Sequence, residues 1–277
     1  MESHLKAVTT HYTGQGNLAE RILEALTAIG KDPDRLEPRD LAPVDEFHVR
    51  GKVATEEMAV KIGLNESHRV LDVGCGLGGA VRHLALNHGC RVTGLDLTPA
   101  YLEAAEVLSA KIGLGDQVQF RQGNALEMPF EDGAFDVVWS QHAAMNIEDR
   151  AGLYREMTRV LRPGGFMALY DILAGAGGAV LFPVPWARSP ENSFLVTPDH
   201  WRELLESVGL EITHWRDVSE EGHQYFLNVN RVIKEKGLPP LGFHVLIGPE
   251  FSEMAKNQLS NLADGRIALI EVIGQKI

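Results

Sequence analysis

The sequence contains no run of ~18 consecutive apolar residues, the length that a membrane-spanning helix needs. Its first ten residues, MESHLKAVTT, hold no apolar core of the kind a secretory leader carries, so a cytoplasmic protein with no membrane partner is expected. Cysteine is scarce. Cys75 and Cys90 are too few and wrongly spaced for a disulfide framework or a zinc cluster, so no metal is expected. Positive charge is scarce too: 26 Lys and Arg stand against 38 Asp and Glu, for a net charge of −12. Nucleic acid is therefore a poor candidate partner, since phosphate contacts need clustered basic residues. Internal repeats and low-complexity tracts are absent. What remains is a chain of 277 residues, 44% hydrophobic and 23% charged, able to bury a substantial core.

Asn17 and Glu20 have the spacing of a capping box ahead of an apolar stripe at Leu18, Ile22, Leu26 and Ile29, which predicts a helix. The stretch Lys31–Val44 carries Pro33, Pro38 and Pro43 and reads as an irregular linker. A second helix is expected over Lys52–Ile62, stopped by Gly63.

From Arg69 onward the pattern alternates. Strands are expected at Arg69–Val73, Arg91–Leu95, Gln117–Arg121, Phe135–Ser140 and Phe166–Ile172. Helices are expected at Gly79–Asn87, from Pro99 to near Gly113, and at Glu148–Leu161, the last broken by Arg162–Gly165. Such alternation predicts an α/β fold with a parallel, doubly wound sheet. After Leu173, stretches rich in glycine and proline read as a long loop or lid. A helix from Thr197-Pro198 to Val208, a strand at Leu210–Arg216, helices at Ser219–Lys236 and Pro249–Leu262, and a closing strand at Arg266–Ile273 complete the reading.

The segment VLDVGCGLGGAVRHLA, Val70–Ala85, holds Gly74, Gly76 and Gly79 directly after a strand. Glycines there let a strand turn into a helix and let the backbone approach a ligand with no Cβ between them. Cys75 fills a place in that loop where a small side chain suffices. Asp96 ends the next strand, where a carboxylate can accept hydrogen bonds from ribose hydroxyls. Glycines and acid alone fit a dinucleotide as well as S-adenosylmethionine (SAM). Asp72, two residues before Gly74 on an otherwise apolar strand, is costly to bury without donors, and a ligand ammonium would provide one. Gly123–Phe130, after the third strand, stands where an adenine edge can be read.

Taken together, VLDVGCGLGG, GLDLTP, GNALEMPF, FDVVWSQ and RVLRPGG resemble the class I SAM-dependent methyltransferases, most strongly over residues 50–175. The resemblance implies a seven-stranded Rossmann-like sheet whose last strand is antiparallel, with an N-terminal helical cap and an insertion before that strand. The chain would divide into a cap over the cofactor (1–63), a SAM-binding core (64–175), a lid loop, sixth strand and helical insertion around the acceptor (176–263), and the final strand (264–277). SAM is then the expected cofactor. Gly74 and Gly76 would contact its methionyl part, Asp72 its amino group, Asp96 the ribose and Leu97 the adenine. Asn124, with Ala125 beside it, stands where many relatives carry an aspartate for the adenine amino group. Ser140 and Gln141 would line the sulfonium side.

The segments HYTGQGNLAERILEAL and EFHVRGKVATEEMA further resemble the leaders of methyltransferases acting on sarcosine, dimethylglycine and phosphoethanolamine. This implies Tyr12 near the methyl group and His48 and Gly51 near the SAM carboxylate. His142, directly after the fourth strand, is the first candidate for a base and Tyr12 the second. Phe182, Trp186, Phe194, Tyr225, Phe226 and Phe243 are candidates to wall the acceptor pocket. The expected partner is a small-molecule methyl acceptor, with a betaine-type amine first and a natural-product oxygen or carbon second; a homodimer stays open. Arsenite methylation wants more thiolates than two cysteines offer, and the Asp-Pro-Pro-Tyr-like tetrapeptide of DNA amino-methyltransferases is missing. A SAM-binding protein without catalysis is the reading from another class.

Overall fold

A computed structural model describes residues 17–277; Tyr12 therefore lies outside the described residues. Asn17 caps the first described helix, its Oδ1 accepting from the backbone of Ala19 (3.0 Å) and Glu20 (3.3 Å). This helix, α1 (Leu18–Ala28), buries Leu18, Ile22 and Leu26, while Ile29 falls just past its end and is exposed. The proline-bearing stretch is not an irregular linker throughout, because α2 (Pro38–Asp45) forms within it. Pro38 occupies the first helical turn, where no amide hydrogen is needed. Asp40 Oδ2 accepts from the Glu37 backbone at 2.9 Å, and Leu41 and Val44 bury the inner face. α3 (Lys52–Ile62) ends at Gly63 in the left-handed conformation.

There follow β1 (Arg69–Val73), α4 (Gly79–His88), β2 (Arg91–Asp96), α5 (Pro99–Lys111), β3 (Val118–Gln122), β4 (Phe135–Gln141), α6 (Arg150–Val160), β5 (Leu161–Ala174), α7 (Pro198–Ser207), β6 (Leu210–Asp217), α8 (Ser219–Lys236), α9 (Phe243–Ile247), α10 (Phe251–Ala263) and β7 (Ile267–Lys276). Two departures from the expected pattern have local causes. Arg162–Gly165 does not separate helix from strand; it bulges inside β5, where the register against β4 shifts between Phe135 and Val137. The short α9 has too few residues to show a helical period.

The seven strands run in the order β3-β2-β1-β4-β5-β7-β6, with β7 antiparallel to both its neighbours. Successive residues of the central strands feed opposite cores. Val70, Val137 and Ala168 pack on one face, and Leu71, Val138 and Leu169 on the other. Both faces are covered, as a doubly wound sheet requires. Two buried ion pairs fasten outer segments to this frame. Arg50, ahead of α3, holds Glu271 of β7 at 2.6 Å, and Arg150 of α6 holds Asp171 of β5 at 2.9 Å. Among the described residues no helix is long and apolar enough to cross a membrane.

Candidate active site

The strand order reverses between β1 and β4, and in such sheets ligands gather at the carboxyl ends beside that point. A cleft of ≈ 1180 Å³ opens there. Its floor depends on the glycines. Gly74 has φ +80°, and a Cβ on it would collide with the side chain of Ala143; a Cβ on Gly79 would collide with the Asp45 carbonyl. The last glycine of the motif thus admits the end of α2 against the start of α4. Arg82, fully buried, secures that contact through Asp45 Oδ1 at 2.5 Å. By this docking Glu46 and His48, which follow α2, reach the cleft wall.

The floor is acidic. Asp72 is buried, and among the described residues none donates a hydrogen bond to its carboxylate. Burial, reinforced by Asp96 and Glu46, pushes its carboxyl up to about 8. Asp96 accepts the backbone N–H of Gly76 on one oxygen and of Thr98 on the other, each at 2.9 Å, and the Thr98 side chain and the Leu97 backbone lend it further hydrogen bonding. Burial raises its carboxyl against these bonds. Burial also pushes Glu46 up, but hydrogen bonds with His48 and Thr55 and the nearness of His83 outweigh it, leaving this carboxyl below its usual range. Thr55 Oγ1 donates to Glu46 at 2.5 Å, and His48 Nε2 stands 3.2 Å from Gln141 Nε2. Among the described residues the lysines that line the cleft are Lys234 and Lys256, carried by α8 and α10. Such a floor repels a diphosphate and attracts an ammonium.

His142 stands at the seam between floor and roof. Its backbone N–H donates to the Tyr170 carbonyl at 2.8 Å and its φ is +50°, a conformation uncommon outside glycine and asparagine. Its ring lies 4.6 Å from that of Tyr170 and 6.0 Å from that of His48. Burial first, and His48 second, press its imidazole well below the usual histidine range. The ring is neutral at physiological pH, and its buried Nε2 has no partner among the described residues.

The roof is apolar. Tyr225, Phe226, Val229 and Ile233 line the cleft at helical spacing along α8. Phe243, Leu246 and Ile247 of α9 and Phe251 and Leu259 of α10 continue it. Trp186 closes one side, its Nε1 donating to Ser193 Oγ at 2.9 Å.

Of the residues singled out in the sequence, His48, Asp72, Gly74, Gly76 and Asp96 line this one cleft. Leu97, Asn124, Ala125, Gln141 and His142 line it as well. Asn124 Oδ1 accepts from the Leu126 backbone at 3.0 Å and so closes its own turn. Ser140 and Gly51 are not among the lining residues. The Ser140 hydroxyl donates to the Val73 carbonyl at 2.8 Å, and Gly51 caps α3, its carbonyl 3.0 Å from His48 Nε2. Phe182 packs on the core and Phe194 is likewise outside the lining; the other four aromatics reach the cleft. Sequence reasoning missed Glu46 and, on α8, Val229 and Ile233, which continue the wall that Tyr225 and Phe226 begin. The Cys75 thiol, pushed well above its ordinary range by burial and by Asp96 and Asp72, is unreactive.

Residues 71–169 match the family model described as a methyltransferase domain. The chain is 30% identical over 79% of its length to a glycine/sarcosine/dimethylglycine N-methyltransferase of Actinopolyspora halophila, and spans 38% of that relative. It is 34% identical over 66% of its length to the methyltransferase GfsG of Streptomyces halstedii, spanning 66% of it. The chain thus spans from about a third to two thirds of these curated relatives. Among solved structures, a geranyl diphosphate C-methyltransferase from Streptomyces coelicolor A3(2) superposes with a TM-score of 0.73. That likeness covers 99% of this chain and 98% of that one at 16% identity, and it is a likeness of fold.

Proposed function

We propose that this chain, which belongs to the class I SAM-dependent methyltransferases, moves a methyl group from SAM to a small, largely apolar organic acceptor. The cofactor half of this reading is supported by fit. The unpartnered, buried Asp72 suits the α-ammonium, and Asp96, a carboxylate acceptor lining the cleft at the end of β2, suits the ribose hydroxyls. The glycine loop gives the methionyl part room, and Leu97, Asn124 and Ala125 stand where adenine would lie. His48 and Gln141 would face the reacting end, Gly51 would hold the His48 ring in place, Ser140 would tie the end of β4 to β1, and Tyr12 remains a proposed contact near the methyl group. SAM, when bound, supplies an already activated electrophilic methyl. The protein's task is then to align the acceptor and exclude water, which can supply roughly 7–11 kcal/mol of the barrier.

The acceptor half rests on the apolar roof of α8, α9 and α10, the observation that carries this reading. A hydroxyl or acidic carbon held against it would give its proton to the unpartnered Nε2 of neutral His142. The amine reading has an observation in its favour, the aromatic side chains facing the cleft, Trp186, Tyr225, Phe226, Phe243 and Phe251 among them, which would attract a cationic acceptor. Against sarcosine or dimethylglycine, the described lining residues include no arginine to grip a carboxylate in bidentate fashion, and the cations they do offer are Lys234 and Lys256 of α8 and α10. Methyl-labelled SAM offered with two acceptor pools, hydroxylated apolar natural products and small zwitterionic amines, tests this. Label is expected in the first pool. Transfer into the second overturns the acceptor assignment, and tight SAM binding with no transfer overturns catalysis.

A further inference from the structure

Outside the cleft, α3 and α4 bring together a group of side chains that methyl transfer does not use. Glu56 of α3 faces His83 and His88 of α4. Glu56 Oε2 lies 2.9 Å from His83 Nε2 and 3.2 Å from His88 Nε2, and the three potential ligand atoms are within 4.8 Å of one another. Two ligands on a tetrahedral zinc ion, at the usual bond lengths, stand about 3.3 Å apart. The separations therefore need only small adjustments to admit an ion. We propose that Glu56, His83 and His88 bind one divalent transition-metal ion of the zinc class.

A second observation supports this. The other ring nitrogen of His83, Nδ1, lies 3.5 Å from Glu46 Oε1, close enough for a small turn of the ring to form a hydrogen bond, and Glu46 is buried. A histidine with one nitrogen turned to other ligands and the other to a carboxylate is the arrangement that orients metal-binding imidazoles. Two imidazoles and one carboxylate without thiolate favour zinc, nickel or copper over calcium or magnesium. The histidines are mostly buried while the Glu56 side chain is 46% exposed, which leaves the ion a way in and a position for water. The ion would also act on the cleft. Metal on Nε2 makes Nδ1–H a stronger donor to Glu46, the residue that binds Thr55 and His48 on the cleft wall. This inference does not depend on which acceptor is methylated.

Zinc titrated into the metal-stripped full chain, followed by calorimetry, tests it, with cobalt absorption as a reporter of tetrahedral geometry. One ion per chain is expected, with a Kd on the order of 1 μM, and a rise in melting temperature of roughly 5 °C at a hundredfold excess over that Kd. Glu56→Gln and His88→Gln should each weaken binding at least about tenfold, and Glu46→Gln about tenfold through His83. His200→Ala, at an exposed histidine outside the group, should change nothing. Should a variant fail to fold, zinc protection of His88 from diethyl pyrocarbonate in the wild-type chain replaces it. Absence of zinc binding by the wild type, or undiminished binding by His88→Gln, overturns the site.

Discussion

The floor and the roof of the cleft are built on different principles. The floor is a set of acidic groups whose positions follow from the backbone: Asp72 at the end of β1, Asp96 at the end of β2 and bonded to the Gly76 amide, Glu46 carried in by α2. The roof is a set of apolar side chains presented by the helices α8, α9 and α10. A floor of this kind selects its ligand by charge, and an error costs the full penalty of an unpaired buried group. A roof of this kind selects by size and shape, and its errors are graded. Cofactor affinity and acceptor preference should therefore be separable by mutation, and His142 lies where the two meet.

The largest effect is expected at that seam. His142→Asn keeps a residue that tolerates positive φ but removes the basic nitrogen. It should lower kcat by roughly 10²–10⁴ for a hydroxyl acceptor and leave the affinity for S-adenosylhomocysteine unchanged. Loss of both would mean that His142 belongs to the floor. Its low pKa has a second consequence. Between its depressed folded value and the unfolded value near 6.5, the unfolded chain binds the extra proton, so this group lowers stability as pH falls below about 6.5. In His142→Asn that part of acid destabilisation should disappear from urea melts.

Next in size is Arg150→Ala. Arg150 pairs with Asp171 at 2.9 Å and donates to the Phe194 carbonyl at 3.2 Å, so it joins the sheet to the loop between β5 and α7. Removing it leaves a buried carboxylate alone, and about 3–5 kcal/mol of stability should be lost. Chemical denaturation measures this. A loss below about 1 kcal/mol would show that the loop is not held by this pair.

The same contrast explains what could be read from the sequence. The sheet was legible, since alternation of strands and helices and the caps at Thr197-Pro198 and Gly63 are local signals that tertiary packing did not override. Within the site, Gly74, Gly76, Asp72, Asp96 and His142 are identified by their places after strands, and all reach the cleft. Glu46 had no such signal. It follows a stretch whose prolines suggested a linker, and it reaches Asp72 only because Arg82 and Asp45 dock α2. The stripe at Tyr225, Phe226, Val229 and Ile233 is visible as periodicity, but periodicity cannot tell a face packed on a core from one turned to a cavity. Ser140 shows the converse: the family resemblance implied a ligand contact for it at the end of β4, and its hydroxyl is spent on the Val73 carbonyl.

A smaller, pH-graded effect tests the floor. With its carboxyl raised to about 8, Asp72 holds a proton at pH 6 and must release it to bind an ammonium. Affinity for S-adenosylhomocysteine should rise about tenfold per pH unit from 6 toward 8 and level off above. Calorimetry in two buffers of different ionisation heat should find close to one proton released per ligand at pH 6. Asp72→Asn should abolish that release and weaken binding at pH 9. The stability that the protonated acid contributes to the free protein is complete below the unfolded value near 3.9 and is lost as pH rises through about 8, because in that window the folded chain binds the extra proton.

The smallest effect is reserved for the roof. Phe226 lines the cleft and is only partly buried, so Phe226→Ala removes contact area without emptying a sealed core. For an apolar acceptor KM should rise roughly tenfold, as expected for losing 1–2 kcal/mol of graded hydrophobic contact. The affinity for S-adenosylhomocysteine and its pH dependence should not move, because no charge on the floor changes its surroundings. Phe226→Leu should recover most of the loss, since the roof asks for volume and not for an aromatic ring. If only tyrosine or tryptophan rescued, the ring face itself would be in use, and a cationic acceptor would then explain the roof better than an apolar one.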